Sequence, residues 1–190
     1  NDGLGLTRAA TVIETLREQA APEDVIITIE NGDFIQGSPL TNYIEKVDQS
    51  AVSLYDDLAE TIGYDVRILG NHEFNYGRDY LERVLGQNDL LLNANVLDET
   101  SGEPFIGRPY TIIERGGVKV GVIGLITKYV PNWEKPANIH GLTFADPVEV
   151  ATRYVDELRP QVDVLVLAYH GGFPEDLIGV GKMGIEYVTF

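Results

Sequence analysis

The stretch Val66-Arg67-Ile68-Leu69-Gly70-Asn71-His72-Glu73 sets a short apolar run directly against a polar turn. The run has strand length, and the glycine that follows lets the backbone turn sharply. The same arrangement recurs on either side. Residues 25–30 lead into Asn31-Gly32-Asp33, and residues 162–168 lead into His170-Gly171-Gly172. In an open α/β sheet the carboxyl ends of parallel strands line one crevice where ligands bind, so the three polar clusters are expected to converge.

Working outward, helical spacing fills the gaps between strands. Leu6, Ala10, Val12, Ile13 and Leu16 predict an amphipathic helix over Leu6–Gln19. Residues 41–62 read as one helix, with Ile44, Val47, Val52, Leu54, Leu58 and Ile62 as its apolar positions. Further helices are expected at 79–85 and 148–158, the last entered through Pro147 and followed by Pro160. Residues 90–95 read as a strand. Residues 110–114 and 118–126 flank Arg115-Gly116-Gly117 and read as a β-hairpin. The run 162–168, apolar but for Asp163, reads as the most buried strand. The expected fold class is α/β, with mainly parallel strands covered on both faces plus one hairpin. No internal repeat or low-complexity linker divides the chain.

Composition narrows the function. The 190 residues are 44% hydrophobic and 23% charged, enough for one domain with a core. No apolar run reaches the ~20 residues that span a bilayer. A formal charge of −16 with only 14 Lys and Arg argues against polymeric nucleic acid and against an anionic membrane surface as partners. A small anion remains compatible if metal ions supply positive charge locally. With no cysteine, a disulfide scaffold and thiolate catalysis are both excluded.

The polar clusters suit divalent metals. Asp33 offers a carboxylate, Asn71 a neutral amide oxygen and His170 an imidazole nitrogen. Mixed oxygen and nitrogen donors fit manganese, iron or zinc better than calcium. Two such ions can generate a hydroxide nucleophile and stabilise an in-line phosphoryl displacement without an activated Ser or Cys.

Gly32-Asp33, then Gly70-Asn71-His72-Glu73, then His170-Gly171-Gly172 resembles the motif order of the calcineurin-like metallophosphoesterases. The longer stretches Asn31-Gly32-Asp33-Phe34-Ile35-Gln36-Gly37-Ser38-Pro39 and Gly70-Asn71-His72-Glu73-Phe74-Asn75-Tyr76-Gly77, with residues 127–150, are similar to the bacterial 5′-nucleotidases and 2′,3′-cyclic-nucleotide phosphodiesterases. The resemblance covers nearly the whole chain. It implies an α/β sandwich and metal-dependent hydrolysis of nucleotide phosphate esters by metal-bound hydroxide. It also implies that Asp33 bridges two divalent ions (Mn, Zn or Fe), that Asn71 and His170 bind the second, and that His72 faces the substrate. There His72 protonates the leaving oxygen or stabilises charge on it. Relatives of this kind are commonly exported to the periplasm or cell wall, and a separate C-terminal domain of the same polypeptide grips the nucleoside.

Two of the family's motifs do not stand in the sequence. An Asp-x-His belongs on a strand before Asn1, and a Gly-His-x-His belongs after Gly172. The expectation is that residues are omitted before Asn1 and around 173–182, with 184–190 a late sheet strand; a genuinely truncated chain is the competing reading. As written, the chain carries three ligands for one metal and only Asp33 for the other.

Blander roles are set beside these. Glu73 reads as structural, satisfying backbone N–H groups at a helix start. His140 reads as a loop histidine, and Tyr129 and Trp133 as packing for their own loop. Asn93 and Asn95 read as partners of site loops rather than catalysts, and Gly3 and Gly5 carry only a weak phosphate-loop signal. Three rivals to the nucleotidase reading remain. One is a sugar-nucleotide or sulfur-ester hydrolase on the same scaffold, the second a non-catalytic metal-binding or cell-surface interaction module. The third is a phospho-acceptor domain, in which Gly70-Asn71-His72-Glu73 has no role.

Overall fold

Two three-stranded sheets pack face to face between helices in the computed structural model, which describes residues 5–172. The first sheet holds β1 (Ile29–Glu30), β2 (Val66–Ile68) and β3 (Leu91–Leu92), parallel and in that order. An antiparallel ribbon joins β4 (Val96–Asp98) to β7 (Leu142–Phe144). The second sheet holds β5 (Tyr110–Arg115), β6 (Val118–Ile126) and β8 (Val164–His170). Here β5 and β6 form the expected hairpin, and β8 lies parallel to β6 with Ile126 opposite His170.

The sheets meet through Val66, Ile68 and Leu92 on one side and Val120, Val122 and Ala168 on the other. Helices α2 (Pro39–Lys46), α3 (Ser53–Ile62) and α4 (Arg78–Leu85) contribute Ile44, Tyr55 and Leu81 to a core with Leu69 and Leu91 of the first sheet's side. Helix α5 (Pro147–Leu158) packs Val150, Ala151 and Leu158 against Ile123 and Leu125 of β6. The fold is therefore an α/β sandwich with two sheets rather than one. Every residue of β6 from Val120 to Ile126 is buried, which explains the unbroken apolar run there.

Several elements differ from the sequence expectation. The helix read over 41–62 is broken: α2 ends at Lys46, a short 3₁₀ turn runs Gln49–Val52, and α3 begins at Ser53. Asp48 makes the break, its side chain accepting from the N–H and hydroxyl of Ser50 and competing with helical bonding. The strand read over 90–95 stops at Leu92 because the buried Asn93 side chain bonds the backbone of Val96 and Ile106 and turns the chain. Strand β8 is not the most buried. Among the described residues it is an outer strand of its sheet, and Val164 and Leu167 are 38% and 39% exposed.

Helix α1 (Leu6–Gln19) has the expected limits, but none of its residues is buried. Arg17 ties it down, donating to the carbonyls of Ile62 and Gly63 and to the Thr28 hydroxyl. No helix among the described residues is long and apolar enough to cross a membrane. The expected strand at 184–190, the gap around 173–182 and Gly3 lie outside the described residues.

Candidate metal centre

The parallel pairing of β1 with β2 brings Asn31-Gly32-Asp33 alongside Gly70-Asn71-His72-Glu73. Asp33 turns in the left-handed region at φ 65°, a conformation that Asp tolerates better than bulkier residues. Its approach to the second loop requires glycine. A Cβ on Gly32 would stand 2.5 Å from the Gly70 nitrogen and 2.7 Å from His170 Nδ1. A Cβ on Gly70 would stand 2.3 Å from Asp33 Oδ1.

Glu73 binds the two loops together. Its carboxylate, 1% exposed, accepts from the backbone N–H groups of Asp33 and Gly70 at 2.7 and 2.6 Å, and from those of Phe34 and Ile35 at 2.6 and 3.2 Å. Burial and the Asp33 carboxylate push its pKa up, and the backbone donors oppose them. As its place at a helix start predicts, Glu73 is structural, accepting the Gly70 N–H at the entry to the 3₁₀ turn Asn71–Phe74. Its main work is done on the Asp33 loop, which sequence spacing did not show.

The third cluster arrives from the other sheet. His170 Nδ1 lies 2.6 Å from the Asn31 carbonyl, so Nδ1 carries the proton and donates. That leaves Nε2 facing Asn71 Oδ1 at 3.1 Å and Asp33 Oδ2 at 3.4 Å. Asn31 also donates through Nδ2 to the Tyr169 carbonyl at 3.2 Å, a second bond across the sheets. Asp33, Asn71 and His170 thus stand together as expected. Asp33 Oδ1 is occupied by the backbone N–H of His72 at 2.8 Å.

The electrostatics of this cluster favour positive charge. Burial pulls the His170 pKa down, but hydrogen bonds to Asp33 and the Asn31 carbonyl lift it to about 9. Burial raises Asp33, and its bonds to His170 and the His72 N–H overcome that and hold it low. The proton that His170 Nε2 holds between Asp33 and Asn71 marks the place a divalent ion would take, with a carboxylate, an amide oxygen and the then-deprotonated imidazole as its donors. Among the described residues no group of three or more His, Cys, Asp or Glu side chains is placed to hold a metal, so the amide of Asn71 is needed to complete this set.

His72 points into a different set of contacts. Its Nδ1 lies 2.6 Å from Asn75 Oδ1, and Asn75 Nδ2 donates to Glu134 Oε2 at 2.5 Å. Neither Asn75 nor Glu134 was singled out from sequence; the offset of three residues between His72 and Asn75 was the only available signal. His140 is exposed, its ring Nδ1 lies 3.0 Å from its own loop's Ala137 carbonyl, and its backbone carbonyl accepts from Arg78. Tyr129 and Trp133 stack edge-on at 5.0 Å but remain 47% and 59% exposed, so they do not pack the loop's interior. Asn95, fully buried, bonds Ile126 and Ala145 and anchors the end of β6.

The family model described as "Calcineurin-like phosphoesterase" matches residues 5–187. A 2′,3′-cyclic-nucleotide 2′-phosphodiesterase/3′-nucleotidase of Yersinia enterocolitica is 38% identical over 90% of this chain, and a 5′-nucleotidase of Vibrio vulnificus is 31% identical over 96%. This chain spans 28% and 32% of those two proteins. The crystal structure of the calcineurin-like phosphoesterase YfkN from Bacillus subtilis superposes with a TM-score of 0.79 at 32% identity, covering 92% of this chain and 56% of that one. The chain belongs to the calcineurin-like phosphoesterase family.

Proposed function

We propose that this chain is the metal-binding, catalytic part of an enzyme that hydrolyses nucleotide phosphate esters, as a 5′-nucleotidase, a 2′,3′-cyclic-nucleotide phosphodiesterase or both. The observation that carries this reading is the meeting of Asp33, Asn71 and His170 around one gap, with His72 on the same turn as Asn71. The names of the relatives support the substrate class.

Asp33 is assigned as the carboxylate shared by two divalent ions, and Asn71 and His170 as ligands of one of them. The metals, when bound, supply Lewis acidity for phosphoryl transfer. The protein's own part is to aim these donors. Glu73 fixes the Asp33 loop, and Asn31 fixes the tautomer of His170 so that Nε2 faces inward. His72 is assigned to the substrate side, giving a proton to the leaving oxygen or stabilising charge there. Manganese, zinc and iron all suit the donor set. A further domain of the same polypeptide is assigned the nucleoside, because the relatives are about three times longer than this chain. The resemblance also assigns the protein to the periplasm or cell wall, which fractionation of the source cell tests.

The experiment is phosphate release by the full-length protein from 5′-AMP, 2′,3′-cyclic AMP and an aryl phosphate, with Mn²⁺ and after chelation. Release that needs metal and falls by orders of magnitude in Asp33→Ala and His72→Ala is expected. Folded protein that releases phosphate from none of these substrates overturns the proposal.

A further inference from the structure

We infer that Glu134 is a positioning residue for His72, acting through the side-chain amide of Asn75. The inference rests on the substrate-side role assigned to His72. Its geometry stands on three side chains in series: His72 Nδ1 to Asn75 Oδ1 at 2.6 Å, then Asn75 Nδ2 to Glu134 Oε2 at 2.5 Å.

The donor–acceptor pattern is set from the carboxylate inward. A carboxylate only accepts hydrogen bonds, so Asn75 must turn its NH₂ toward Glu134. That fixes the amide, and its oxygen must then face His72. An amide oxygen only accepts, so His72 Nδ1 must carry a proton. Nε2 is left as the ring nitrogen for the substrate, and it takes up a proton before it can pass one to the leaving oxygen. Without the carboxylate, the amide of Asn75 can rotate by half a turn and present NH₂ to the ring. His72 is then free to take the opposite tautomer.

Glu134 is itself held. Its second oxygen, Oε1, accepts from Asn138 Nδ2 at 2.8 Å and from the backbone N–H of Lys135 at 2.7 Å. Asn138 Nδ2 also reaches the Asn75 carbonyl at 3.1 Å, closing the loop onto the turn that carries His72. The segment 134–138 thereby sets the orientation of a side chain about sixty residues earlier in the chain. A carboxylate acting at one remove differs from one placed directly on the imidazole, because the negative charge stays away from the ring while the tautomer is still determined.

The test uses full-length protein labelled with ¹⁵N-histidine, and long-range ¹H–¹⁵N correlation, with the His72 signals assigned by their loss in His72→Gln. The parent is expected to show a protonated Nδ1 and a bare Nε2 on neutral His72. Glu134→Gln, in which residue 134 can donate as well as accept, is expected to shift His72 toward the Nε2–H tautomer. In the same variant kcat falls roughly tenfold, with KM little changed. The double variant Asn75→Asp/Glu134→Gln moves the carboxylate onto residue 75 and the amide donor onto residue 134. It is expected to restore the Nδ1–H tautomer and most of kcat.

A bare Nδ1 in the parent overturns the inference, as does a tautomer that Glu134→Gln leaves unchanged, whatever happens to kcat. If the parent hydrolyses no substrate but the tautomer responds as described, the nucleotidase reading fails and the relay stands.

Discussion

The carboxylate of Glu73 accepts the backbone N–H of Asp33 at 2.7 Å, so a residue on one loop sets the backbone of another forty positions away. The same carboxylate takes three further backbone donors. The Asp33 turn, with its left-handed φ, is held by this group.

Glu73→Gln keeps the shape but points an NH₂ at backbone donors. Stability is expected to fall by about 3 kcal/mol, because buried N–H groups lose their acceptor. Urea unfolding reads this as a lower midpoint at unchanged slope. A midpoint equal to the parent's contradicts the assignment.

Gly32→Ala and Gly70→Ala both drive a methyl group into the opposing loop, at 2.5 Å from the Gly70 nitrogen and 2.3 Å from Asp33 Oδ1. Each variant should fold yet bind Mn²⁺ roughly tenfold more weakly or worse, as measured by titration calorimetry. Parent-like affinity in both would mean that the loops do not need to meet this closely.

Glu30 gives a prediction about pH. Burial and the neighbouring Glu73 raise its pKa to about 7, against the pull of Arg67 and the Gly32 N–H. A folded pKa above the ordinary 4.5 contributes stability that is fully present below 4.5 and is lost as pH rises through about 7. Between pH 5 and 8, the parent should therefore lose more stability than Glu30→Gln. Equal pH slopes in urea unfolding would refute this.

Asn95→Ala removes a side chain that bonds both backbone groups of Ile126 and the carbonyl of Ala145. Leaving these buried groups unmet should cost ~2–4 kcal/mol. Thermal unfolding compared with Asn88→Ala, whose amide makes an exposed contact to Asp56, separates this from a general effect of losing an asparagine.

Much of the candidate site was legible because its residues stand at strand ends, beside glycines. Asp33, Asn71 and His170 could be named from that pattern, since parallel strands deliver their carboxyl ends to one crevice. Asn75 and Glu134 could not. Their bond joins a turn after β2 to a loop after β6, and no local spacing encodes such a meeting. The helix break at Asp48 was missed for the opposite reason. It is local, but the apolar positions on either side keep helical spacing through it.

By itself the sequence determined most of the strands though not β4 and β7, the hairpin, most of the helices, and the donor types available to a metal, because periodicity and residue chemistry are carried by neighbours in the chain. The tertiary structure alone decided that two sheets pack face to face, that Glu73 serves the Asp33 loop, and that His170 reaches Asn71 and Asp33 with Nε2. These depend on distances between elements far apart in sequence, which are fixed only when the apolar faces of both sheets are buried together.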